Sequence, residues 1–165
     1  SSNIITTANI AGGNISTGGI ISAAGNIISG GLFVGTATSA RYADVAENYL
    51  ADAEYAPGTV LDFGGSQEVT ISTADSSRRV AGVVSTNPAH LMNGGLQGVN
   101  VVPLALTGRV PCKVTGPVRK GDIMVSAGNG YAIANNTPVL GSIIGKAIAD
   151  NNDQFGIIEV VVGRY

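Results

Sequence analysis

The first forty residues of the chain contain no Asp, Glu, Lys, Arg or His. They form a loose repeat in which an apolar residue recurs every five to seven positions, at Ile10, Ile15, Ile20, Ile27 and Leu32. Glycines between these positions supply the positive φ angles of tight turns, so the repeat predicts very short strands. Each such strand has only one or two apolar side chains to bury, and a single copy cannot offset the entropy lost on ordering. Several copies wound together can do so, and residues 1–40 therefore predict a fibrous shaft in an obligate oligomer.

The alternative for this region is a flexible glycine-rich linker, but linkers do not space Ile regularly. The composition of the whole chain favours β structure. Charged residues make up 12 % of the 165 residues, against about 25 % in an average domain. Glycine, Val, Ile and Thr are abundant, and Trp is absent. These features predict an all-β protein in which a β-rich intertwined shaft precedes a compact head shaped as a barrel or a sandwich.

Residues 57–165 carry the pattern of that head. Short β-rich runs alternate with Gly, Asn, Asp and Pro turn signals. The predicted strands are 59–63, 68–72, 80–85, 99–106, 108–115, 122–126, 131–134, 143–148 and 157–162. Asn129-Gly130 predicts a type I′ hairpin turn, and Gly121-Asp122 predicts a tight turn with Arg119 and Lys120 exposed at its mouth.

Residues 41–56 differ from both neighbours because charged residues appear there together. Tyr42, Val45, Tyr49 and Leu50 recur at three- and four-residue spacing, which indicates helical periodicity, and Pro57 would end it. The segment therefore predicts a short helical or turn-rich junction between shaft and head.

Asp44 and Glu47 are the candidate catalytic residues. On a helical turn, side chains three residues apart lie on one face. Two neighbouring carboxylates can divide acid and base roles or bind a hard cation. The alternative is that both solvate a junction helix, with Asp44 near its N-terminus, where negative charge is favourable.

Other chemistry has weaker support. Cys112 or Ser85 could form a nucleophilic pair with His90. However, Cys112 lies among alternating apolar residues and is expected to be buried and inert. One His does not make a zinc site within a chain, and no phosphate-binding glycine loop is present, so neither metal nor cofactor is predicted.

Composition also excludes several classes of partner. The net charge is −2 and no basic patch occurs, which argues against nucleic-acid binding. No apolar run is long enough for membrane insertion, and no signal peptide is recognised. Since the chain does not begin with Met, Ser1 is expected to be an internal start.

Three segments resemble the C-terminal region of bacteriophage tail fibres and other virion structural proteins, especially those of tailed cyanophages. They are GTATSARYADVAE at residues 35–47, YAPGTV at residues 55–60 and AGVVSTNP at residues 81–88. With LTGRVPCKVTGPVRKGD and the closing GIIEVVVGRY, the resemblance covers most of residues 26–165.

The central part is also similar to the self-cleaving intramolecular chaperone domain (peptidase G2 type) of phage appendage proteins. That family has a DxxE pair before a β domain, matched here by Asp44 and Glu47, and a GVVSxNP-like strand, matched by residues 82–88. A Ser precedes the Asp in that family, where this chain has Ala43. The resemblance implies trimerisation, and it implies self-cleavage next to Asp44 as an alternative activity.

The leading hypothesis is a structural component of a phage appendage, made in the host cytoplasm and located in the virion. Its head would bring three chains into register, and its partners would be two further copies and other virion proteins. The alternatives are a head that binds a host surface glycan or protein, with the polar loops at 87–98 and 150–154 as candidate contact regions, and a self-cleaving chaperone domain.

Overall fold

The computed structural model describes residues 44–163, together with Gly18, Ile20, Ser22 and Ala24. Contacts divide the chain into two compact units, Ser1–Thr38 and Ser39–Tyr165. The predicted shaft and the start of the predicted junction lie outside the described residues, apart from those four positions. Residues 44–56 therefore belong to the same unit as the β head.

The described part of the second unit is all-β and contains no helix, as the composition predicted. No helix long and apolar enough to cross a membrane occurs among the described residues. The strands are β1 (Val45–Leu50), β2 (Val60–Phe63), β3 (Val69–Ile71), β4 (Val80–Val84), β5 (His90–Met92), β6 (Val101–Thr115), β7 (Ile123–Gly128), β8 (Tyr131–Ala134), β9 (Ile143–Ala147) and β10 (Phe155–Val162).

Five strands close into a barrel in the order β6, β8, β7, β9 and β10. Strand β10 returns to β6 as an antiparallel pair running from Phe155↔Thr115 to Val162↔Gly108. The β7–β8 hairpin turns at Asn129 (φ 51°) and Gly130 (φ 74°), which confirms the predicted type I′ turn. The barrel interior is filled by fully buried apolar side chains, among them Val110, Cys112, Val114, Met124 and Val160.

The remaining strands pair with the other end of β6 to form a second sheet. Its order is β5, β1, β6, β4, β2 and β3. An isolated bridge between Ala51 and Val69 joins the end of β1 to β3, so this sheet also curls back on itself. Its own smaller core includes Leu61, Val84 and Leu104. The opposite face contributes Val60 and Val83 to the barrel core.

Strand β6 belongs to both sheets because its side-chain alternation reverses along its length. Val102 and Leu104 face the second core, whereas Val110 and Val114 face the barrel, although all four are even-numbered positions. The reversal falls at a register shift opposite β1 and at Gly108, whose φ of 107° favours glycine. The sequence predicted two strands here, and the structure has one strand with this irregularity.

The predicted helical character of the junction is wrong, since residues 45–50 form β1. Strand β1 lies between β6, to which it is antiparallel, and β5, to which it is parallel. Local three- and four-residue spacing in a short segment is a weak signal, and pairing with two strands distant in sequence outweighs it. Strand β5 was missed for a related reason, because three residues at a sheet edge carry no readable periodicity.

Candidate functional site at the start of the β head

Asp44 is the residue immediately before β1, and it is held by both its main chain and its side chain. Its carbonyl oxygen accepts a hydrogen bond from the amide of Ala89 (2.9 Å). Its Oδ1 accepts a hydrogen bond from Ser85 Oγ (2.9 Å), which follows the end of β4. Both side chains are about 2 % exposed, and Asp44 Oδ2 has no hydrogen-bond partner among the described residues. Asp44 is therefore fixed to two separate segments of the head.

Glu47 lies within β1, whereas Asp44 precedes the strand. Side chains alternate along a strand, so Glu47 faces the side opposite to Ala46. Consistent with this, Glu47 Oε2 accepts a hydrogen bond from Tyr49 two positions along, at 3.0 Å, while Ala46 on the other face is buried. The structure does not bring the two candidate carboxylates together on one helical face, and their catalytic role stays a prediction.

The candidate nucleophiles Cys112 and Ser85 form no hydrogen bond with His90 among the described residues. Cys112 is fully buried in the barrel, and burial raises the pKa of its thiol to about 12, as expected for an inert cysteine. His90 is exposed on β5, in the other sheet. Ser85 is paired with Asp44 rather than with a histidine. Within the described part of the chain, no three His, Cys, Asp or Glu side chains are grouped as metal ligands.

The two polar loops named as candidate contact regions form hydrogen bonds with other segments of the head. In the loop at 150–154, buried Asn151 donates from Nδ2 to the carbonyl oxygens of Gly116 (2.8 Å) and Asp153 (2.7 Å). In the loop at 87–98, Asn93 exchanges side-chain to main-chain hydrogen bonds with Asn48. Some of the polar side chains in each loop therefore stabilise the fold through hydrogen bonds.

The sequence did not identify Ser85 as the partner of Asp44. The two residues are 41 positions apart, and no spacing rule links them. The sequence also gave no sign of a second buried carboxylate, Asp62 in β2. Its Oδ2 accepts a hydrogen bond from Ser77 Oγ at 2.7 Å, and its Oδ1 has no partner among the described residues.

No family model matches the chain, and no curated protein matches it. Among solved structures, the fold is similar to the head fibre gp8.5 N base of bacteriophage phi29, with a TM-score of 0.42 and 13 % sequence identity. That similarity covers 76 % of this chain and 94 % of the phage protein chain.

Proposed function

We propose that this chain is a structural component of a phage virion appendage, and that its β head holds the N-terminal shaft in register within a homotrimer. The anchoring of Asp44 carries the proposal. This residue follows the predicted shaft in the sequence. Hydrogen bonds from Ser85 Oγ and from the amide of Ala89 set its position in the head.

A repetitive shaft needs a fixed end. Short, similar strands can pair in many registers, and a slip of one residue moves each apolar side chain to the opposite face. If three heads associate, the three copies of Asp44 start their shafts from equivalent positions, which selects one register. Compact heads would form first and serve as the nucleus, because the pairing of the shafts is non-local.

Exposed apolar side chains support the need for further copies. Ile20, one of the regularly spaced apolar residues of the shaft, is 93 % exposed in the single chain. Covering such residues by two neighbouring copies would supply the buried area that one copy lacks.

The assignment to a virion appendage is supported by the resemblance of residues 35–47, 55–60 and 81–88 to phage tail-fibre proteins. On that assignment, the protein is made in the host cytoplasm, and its partners are two further copies and other virion proteins.

Light scattering on the full chain tests the proposal. We expect a particle of three times the 16.5 kDa chain mass. Removing residues 57–165 should leave the remaining segment unfolded or aggregated. A stable monomer of the full chain, or a soluble trimer of the truncated one, would contradict the proposal.

A further inference from the structure

A cavity of about 280 Å³ opens at the seam between the second sheet and the barrel. Strands β4 and β6 form one side, and β9 with the end of β10 forms the other. Val80, Ile143, Ile144 and Val162 give it apolar walls, and Arg78 and Arg79 line it beside them. This volume is near the lower end of the range for small-molecule sites and suits one small ligand.

The charge of this cavity is opposite to that of the chain. Its lining contains two arginines and no Asp or Glu, although the chain carries a net charge of −2. Two other surface cavities of the head contain a carboxylate and no basic residue, with Glu54 in one and Asp52 in the other. Among the described residues, neither guanidinium of the Arg78–Arg79 pair forms an ion pair or a side-chain hydrogen bond. Free guanidinium groups beside a concave surface favour a ligand with a carboxylate, which Arg binds in a bidentate manner.

The rest of the lining indicates what carries that carboxylate. Phe63 is 38 % exposed, and its ring is held by edge-to-face contact with Tyr49, with centroids 5.8 Å apart. An aromatic ring held in this way can pack against the C–H face of a sugar. Gly82, Gly141 and Gly163 also line the cavity.

We infer that this cavity binds a carboxylated sugar, of the kind that uronate units present in acidic surface polysaccharides. Arg78 and Arg79 contact the carboxylate, and Phe63 contacts the ring. The inference goes beyond the assembly role and does not depend on it, because every residue involved lies within one head.

Calorimetric titration of the full 165-residue chain with D-glucuronate tests the site, with D-glucose and acetate as matched ligands. We expect glucuronate to bind, glucose to give no measurable heat, and acetate to bind at least about tenfold more weakly, since it lacks the ring contacts. Failure of glucuronate to bind, or binding of glucose or acetate equal to that of glucuronate, would overturn the inference.

Substitution of the arginines locates the site. The double variant Arg78→Gln/Arg79→Gln should weaken glucuronate binding at least about tenfold, and Arg79→Lys should weaken it less because the charge remains. Arg119→Gln removes an arginine outside the cavity and should leave the affinity unchanged. Both substituted arginines are exposed, so melting temperatures close to wild type are expected and will separate lost binding from lost folding. Unchanged affinity in the double variant, or an equal loss in Arg119→Gln, would place the binding elsewhere.

Discussion

The barrel and the second sheet share strand β6, but they differ in the kinds of side chain that they bury. The barrel interior is filled with apolar side chains, and its cysteine is inert. The second sheet instead contains or adjoins both buried carboxylates of the described residues, Asp62 and Asp44. Each accepts one serine hydrogen bond and leaves its other oxygen without a partner. Because a buried polar group destabilises the fold when one of its atoms lacks a hydrogen bond, we expect the barrel to contribute more stability than the second sheet.

Substitution of the chain's two methionines should give the largest difference in stability between the barrel and the second sheet. Met124 is fully buried in the barrel, whereas Met92 is partly exposed on edge strand β5. Met124→Ala should lower the free energy of unfolding by about 2–5 kcal/mol, because it leaves a cavity in a closed core. Met92→Ala should cost about 1 kcal/mol or less. Urea unfolding at one fixed protein concentration measures both, and equal losses would show that the barrel is not the more stable half.

Two buried serines provide the next comparison. Ser85→Ala removes the hydrogen bond to the Asp44 carboxylate, and we expect a loss of about 1.5–3 kcal/mol. Ser142→Ala, at the turn before β9, removes a hydrogen bond to a neutral carbonyl oxygen, and the expected loss is about 0.5–1.5 kcal/mol. On the proposed function, Ser85→Ala should also reduce the trimer fraction by light scattering, and Ser142→Ala should not. Equal effects on the trimer would remove the special role of Asp44.

Intact mass spectrometry separates anchoring from self-cleavage at the same residue. The Asp44 carboxylate accepts a hydrogen bond from Ser85 and the Glu47 carboxylate accepts one from Tyr49, so the two carboxylates have different partners. We expect a single full-length species from the wild type, from Asp44→Ala and from Glu47→Ala. A pair of fragments in the wild type that disappears in both variants would establish the self-cleaving alternative and contradict this expectation.

The outcome of sequence reasoning also differs between the two halves. Barrel strands were predicted close to their observed bounds, because strand alternation and the Asn129-Gly130 turn are local signals. In the second sheet, β2, β3 and β4 were also predicted close to their bounds, but β1 was predicted as a helical or turn-rich junction and β5 was missed. The structure of these segments depends on partners far away in the chain. The Asp44–Ser85 contact and the arginine-lined cavity were missed for the same reason, since each forms only when distant segments meet.

A final pH experiment concerns a property in which the two halves should agree. Asp52 follows β1 in the second sheet, and the hydrogen bond from Tyr55 to its carboxylate holds the pKa of Asp52 below its usual value of 3.8. Asp122, beside β7 of the barrel, has a pKa that is lowered chiefly by the hydrogen bond from Asn136. A carboxyl group with a lowered pKa in the folded state stabilises the fold above about pH 3.8, and this contribution disappears as the pH falls through the folded-state pKa.

Asp52→Asn and Asp122→Asn should therefore each lower the melting temperature slightly near pH 6, and the difference from wild type should vanish at the lowest pH. The effect is expected to be the smallest of the series because both carboxylates are near solvent, where screening weakens such interactions. Thermal melts from pH 6 to 2.5 measure it. A difference from wild type that grows on acidification in either variant would reverse the sign and show that its carboxylate destabilises the folded head. If the difference in melting temperature from wild type disappeared at low pH in only one of the two variants, the two halves would respond differently to acid.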